Sequence, residues 1–126
     1  MDTFFKMQAD ICKIFANDKR LEIINLLKDR EMSNSDIMQE TGLSKVNISQ
    51  HMNILKSKGV ILTRREGQQI FYSIANPKII QACNLMREVL IEQSLARERE
   101  VSKLVKTAEH LAKGKPGRSG AAIKRK

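Results

Sequence analysis

The sequence predicts a mainly α-helical domain carrying one small β-hairpin, in the order α-α-α-α-β-β-α with a long last helix. Three observations point there. Apolar residues at helical spacing recur in four segments before residue 59, three of them opened by a capping residue. Two short runs rich in branched and aromatic residues, VILTRR and IFYSI, then stand either side of REGQ. Finally Asn76-Pro77 opens a stretch with no further proline or glycine until Gly114.

Each element has its own reason. Residues 4–15 carry two apolar stripes, Phe4, Met7, Ile11, Ile14 and Phe5, Ala9, Cys12, Phe15. A helix apolar over so much of its circumference must be covered on more than one side. Asn17 or Asp18 can cap the second helix, whose core candidates are Leu21, Ile23, Ile24, Leu26 and Leu27. Ser33 followed by Asp36 opens a short third helix that Gly42 ends. Ser44 caps the fourth helix, on which Val46, Ile48, Met52, Ile54 and Leu55 are expected to lean to one side. Gly59 stops it. The hairpin follows, with Gly67 available for the turn. The last helix is apolar from Ile79 to Leu90, polar through EQSLARERE and apolar again at Val101, Leu104, Val105, Ala108 and Leu111. One continuous helix, or two with a break near residues 93–100, both fit that pattern.

Composition bounds the function. The chain has 126 residues, 23 Lys+Arg against 14 Asp+Glu, and a formal charge of +9. That length suits one domain, predicted over residues 1–112. A chain this short often completes its core by dimerising. No apolar run is long enough for a membrane span, and the charged N-terminus is unlike a secretion signal, so a cytoplasmic location is expected. Two cysteines do not make a disulfide scaffold. The charge is segregated. Residues 113–126 hold six bases and no acid, and are read as a flexible basic tail. The 25 residues between Glu40 and Glu66 hold five bases, Lys45, Lys56, Lys58, Arg64 and Arg65, and again no acid. Such a stretch is the footprint of a face that binds a polyanion.

The third and fourth helices, joined by a tight turn at Gly42, form a helix-turn-helix, whose second helix enters the DNA major groove. Its polar positions are Ser44, Lys45, Asn47, Ser49, Gln50, His51 and Asn53, with Lys56 further along. Asn and Gln can bond adenine edges in a bidentate way, and Ser reads several bases. Lys45 at the helix N-terminus suits a phosphate. Arg64, Arg65, Gln68 and Gln69 at the hairpin tip are placed to reach backbone or minor groove. No Cys/His partner pattern, phosphate-binding glycine loop or carboxylate pair supports an enzyme.

These residues also carry a resemblance. ANDKRLEIINLL followed by EMSNSDIMQETGLSKVNISQHMNILKSKGVILTRREGQQIFYSI resembles the ArsR/SmtB family of winged helix-turn-helix repressors, over about residues 10–92. The most specific part runs from Gly42 to Gly59, then RREG and FY. The resemblance implies a homodimer pairing first and last helices, which binds a double-stranded operator and leaves it when an inducer binds. It also implies where this chain departs. The run that holds a metal-binding Cys-x-Cys in many members is EMSNSDI here, with Ser33 and Ser35 at the cysteine positions. A second family site uses paired carboxylates and histidines on the last helix, but this chain has no Asp or His from Pro77 through Glu109 and His110 stands alone, so neither metal nor cofactor is expected. Cys12 and Cys83 remain as sensor candidates. Each lies on an apolar stripe and reads equally as an inert core cysteine. In the paired helices they could form a thiol switch answering an oxidant or reactive sulfur species. A protein-interaction adaptor built on the long last helix is the other reading.

Overall fold

The computed structural model describes residues 2–112, and the predicted basic tail, 113–126, lies outside them. The elements are α1 (Asp2–Ile14), α2 (Asp18–Leu26), β1 (Met32–Ser33), α3 (Asn34–Thr41), α4 (Lys45–Ser57), β2 (Ile61–Glu66), β3 (Gln69–Ile74) and α5 (Pro77–Leu111). The helices start where the caps indicate. The Asn17 side chain accepts from the Arg20 backbone N–H at 3.0 Å. Ser33 and Asp36 form a reciprocal capping box on α3. The Ser44 hydroxyl accepts from the Asn47 N–H at 3.1 Å.

The sheet is larger than the hairpin expected. Met32–Ser33 adds a third antiparallel strand, giving the order β1-β3-β2 with Met32 opposite Tyr72 and Ser33 opposite Phe71. Two residues carry no periodicity, so this strand left no pattern to read. The hairpin register pairs Glu66 with Gln69, leaving Gly67 and Gln68 as a two-residue loop. Gly67 has φ +65° and no non-glycine residue has positive φ among the described residues. A left-handed first position alone is the pattern of a type II′ turn, which suits the strand twist.

The body of the molecule, to Asn84, is one compact unit. Its core gathers Ile14, Ile23, Ile24, Leu27, Met32, Ile37, Ile48, Met52, Leu55, Val60, Ile61 and Tyr72. Ile79, Ile80 and Cys83 of α5 pack against it. Of the residues expected in the core on α2 and α4, Leu26 is half-buried against this set, and Leu21, Val46 and Ile54 are exposed. A second unit begins at Leu85; its described residues continue α5, a helix in which no residue is buried. The helix is continuous through the polar stretch at 93–100, which resolves that alternative. α1 buries only Ile14, and Phe4, Phe5, Met7 and Ile11 stay exposed. No helix among the described residues is long and apolar enough to cross a membrane.

Candidate nucleic-acid interface

The turn between α3 and α4 is held by three short bonds. Gly42 at φ +76° donates its N–H to Met38 at 2.8 Å. The Thr41 hydroxyl donates to the Ile37 carbonyl at 2.7 Å and accepts from the Leu43 N–H at 3.1 Å. A left-handed residue closing a helix needs glycine, because a Cβ there would crowd the following carbonyl. The direction in which α4 leaves is therefore set locally.

α4 carries two stripes of the same spacing. Ile48, Met52 and Leu55 are buried, and their i, i+4, i+7 spacing places them on one face. Val46, Gln50 and Asn53 repeat that spacing two residues earlier, nearly opposite, and are exposed. Lys45, Asn47 and Lys56 are exposed as well, and Ser49 is half-buried. Most of the polar positions named from the sequence thus share one outward surface. The N-terminal turn of α4 adds backbone N–H groups beside Lys45, with no acid in that turn to compete.

His51 differs from the rest of that set. It is half-buried, and its Nδ1 is enclosed without a hydrogen-bond partner. Burial holds its pKa below the ordinary imidazole value, the charge of Arg20 adds to this, and Asp18 opposes it. Its electrostatic neighbours are on α2, not on the outward surface where the sequence reading placed it. Helix periodicity shows why: residue 51 stands three positions after the buried Ile48 and four before the buried Leu55, at the edge of the buried face.

The two wing arginines also separate. Strand alternation turns Arg64 and Arg65 to opposite faces of the sheet. Arg64 lies opposite Phe71 and its guanidinium sits 4.5 Å over that ring. It donates through Nη2 to Glu31 Oε1 at 2.5 Å, through Nε to Glu31 Oε2 at 3.3 Å and through Nη1 to Glu66 at 3.2 Å. The hydrogen bonds from Arg64 hold the Glu31 carboxyl below its usual pKa, and Arg64 in turn is held firmly protonated. Arg65 lies opposite Ile70, on the sheet face that also carries the buried Ile61. A cleft of about 210 Å³ lies between α4 and the wing, lined by Met52, Asn53, Lys56, Thr63, Arg64, Arg65, Ile70 and Tyr72. Lys56, Arg64 and Arg65 bring positive charge to it beside the outward stripe of α4, with Arg64 already paired to Glu31 and Glu66. Gln68 and Gln69 are exposed at the hairpin tip.

The cysteines are placed differently. Cys12 is exposed on α1, and Cys83 is half-buried against the core. Among the described residues no three His, Cys, Asp or Glu side chains are grouped to hold a metal ion.

Comparison with known proteins agrees with this architecture. The family model described as bacterial regulatory protein, arsR family, matches residues 17–62. The HTH-type transcriptional regulator Rv0081 of Mycobacterium tuberculosis is 33% identical over 90 residues, covering 71% of this chain and 79% of that protein. The crystal structure of Rv0081 covers 75% of this chain and 95% of its own, with a TM-score of 0.70. The transcriptional repressor SdpR of Bacillus subtilis is 36% identical, covering 61% of this chain and 86% of that protein. A solution structure from Mycobacterium bovis, described as a homodimeric winged helix-turn-helix DNA-binding domain, is 30% identical with a TM-score of 0.67. It covers 73% of this chain and 85% of that one. With a winged helix-turn-helix in place and relatives of this identity and coverage, the chain belongs to the arsR family of bacterial regulatory proteins.

Proposed function

We propose that this chain is a homodimeric repressor that binds an inverted-repeat operator through α4. The observation that carries the reading is the outward stripe of α4. It is free of acids, rich in amide and hydroxyl groups, and set beside Lys56 and Arg65. In this reading Gln50, Asn53, Asn47 and Ser49 address base edges in the major groove. Lys45, Lys56 and Arg65 take phosphates, with Gln68 and Gln69 at the wing tip reaching the flanking backbone. Arg64 anchors the wing to Glu31 at the edge of the same cleft.

The dimer follows from what one chain leaves uncovered. Phe4, Phe5, Met7 and Ile11 on α1, and Leu85, Met86, Leu90 and Ile91 on α5, are all exposed. Contiguous apolar surface on neighbouring helical turns marks an interaction site. A second copy covers it with an isologous interface and sets two reading heads on a two-fold axis. The M. bovis relative described as homodimeric supports this assembly.

Operator binding is tested with duplexes from upstream of the protein's own gene, by fluorescence anisotropy over a salt series. Binding should favour an inverted repeat with half-sites about one helical turn apart, or a multiple of it. Gln50→Ala and Asn53→Ala should relax preference at particular bases, and an unaltered preference in both would refute the reading. A promoter-reporter assay then gives the sign of regulation: loss of the protein should raise expression.

Release belongs to the same proposal. The exposed Cys12 thiol is open to an oxidant or reactive sulfur species, and a Cys12–Cys83 bridge would shift the packing of α1 and α5. Diamide accepts the two thiol hydrogens as one disulfide forms. It should release the wild-type protein from its operator and leave Cys12→Ser and Cys83→Ser bound. Indifference of all three would refute the thiol switch and leave DNA binding intact.

A further inference from the structure

Val46 is the anomaly of the α4 surface. It is 65% exposed at the second position of the helix, and nothing in the core of this chain uses it. It heads the outward stripe that continues through Gln50 and Asn53, so it stands among amide, hydroxyl and ammonium groups. An apolar residue scattered on a surface is ordinary. One at the head of the proposed reading stripe is placed where a recognition helix meets base edges, because its N-terminal residues approach the groove most closely.

The chemistry of the groove says what such a residue can read. Every base pair presents hydrogen-bonding groups there, and the one apolar feature is the thymine C5-methyl. Valine is suited to it. Its branched Cβ leaves one strongly preferred χ1 in a helix, so its two methyl groups are held in place before binding. We infer that Val46 is a specificity residue that selects thymine over cytosine at one position of each half-site, by packing against the thymine C5-methyl group. The inference rests on the proposed operator binding by α4.

Deoxyuridine isolates the contact, since it keeps the O4 acceptor of thymine and lacks only the methyl. A high-affinity duplex is first selected from randomised sequences with the wild-type protein. Its thymines are then replaced by deoxyuridine, one symmetric pair at a time, and affinities are measured by anisotropy at fixed salt. One pair should weaken wild-type binding by about fourfold per half-site, the worth of a single buried methyl group. Val46→Ala should bind the thymine and uracil duplexes equally at that pair, while Gln50→Ala should still distinguish them. Thermal melts of both variants should match wild type, because both positions are exposed. Indifference of the wild type to uracil at every position would overturn the inference while leaving operator binding standing. Undiminished discrimination by Val46→Ala would overturn it as well. Failure to select any duplex above the non-specific background would overturn the inference together with the operator-binding reading.

Discussion

The reading head and the flanking helices solve opposite problems. Across α3, α4 and the wing, the large side chains turned inward are buried within one chain, and the turn and caps are bonded locally. α1 and the distal part of α5 are regular helices with almost nothing buried: Ile14 alone in α1, and no residue of α5. Helix propensity can keep such helices formed, but most helical stability comes from packing an apolar face. The difference teaches that one chain holds a complete DNA-binding head and only half of a scaffold.

Core truncation should produce the largest effect. Leu55 is fully buried on the inner face of α4, so Leu55→Ala should cost about 2–5 kcal/mol in denaturant unfolding. Leu90, exposed on α5, should behave differently under the proposed dimer. Leu90→Glu should leave the α4 packing intact and shift the monomer–dimer equilibrium, measured by sedimentation. The melting temperature of the wild type should rise with protein concentration, as linkage to association requires. A Leu90→Glu variant that stays dimeric would break the contrast between complete head and half scaffold.

Within the head, the second comparison is between neighbouring arginines. Arg65→Ala should weaken binding to all duplexes and reduce the slope of log affinity against log salt by about one for each phosphate that its guanidinium neutralises. Arg64 is engaged with Glu31, Glu66 and Phe71. Arg64→Ala should therefore change the salt slope less than Arg65→Ala does and loosen the wing, read as faster amide exchange in β2. Equal slopes for the two variants would place both arginines on DNA and refute their division of labour.

A smaller effect is expected at the capping box. Ser33→Ala removes the acceptor for the Asp36 N–H and should cost about 1 kcal/mol of stability. That motif was legible because capping chemistry is local: a hydroxyl, an acid three positions on, and an apolar run. Gly42, Gly59 and Gly67 were legible for the same reason, each a left-handed residue that ends an element or turns a hairpin. Less could be read wherever three-dimensional neighbours decide. Val46 and Ile54 fit an apolar pattern loosely, and only the packing of Ile48, Met52 and Leu55 shows that they lie outside it. Arg64 and Arg65 look alike in sequence until strand register sets one beside Phe71 and Glu31 and the other on the opposite face, with Ile61. β1 exists only because β3 offers an edge to Met32 and Ser33.

Titration sharpens the difference between His51 and the exposed residues of α4. The folded chain holds His51 below its unfolded pKa of about 6.5, so the folded state binds fewer protons there than the unfolded state. The stability tied to that difference is fully present above the unfolded value and is lost as pH falls through the folded one. Glu31 has the same sign in a lower window, because Arg64 holds its carboxyl below the ordinary value of 4.5. Unfolding free energy measured from pH 8 downward should therefore decline first in the His51 window and again in the Glu31 window. His51→Gln should flatten the first decline alone, and Glu31→Gln the second alone. Were His51 an exposed reading residue like Gln50, its substitution would alter base preference and leave the pH profile of stability untouched. Measuring both quantities on one variant decides whether this side chain reads DNA or holds α4 against α2.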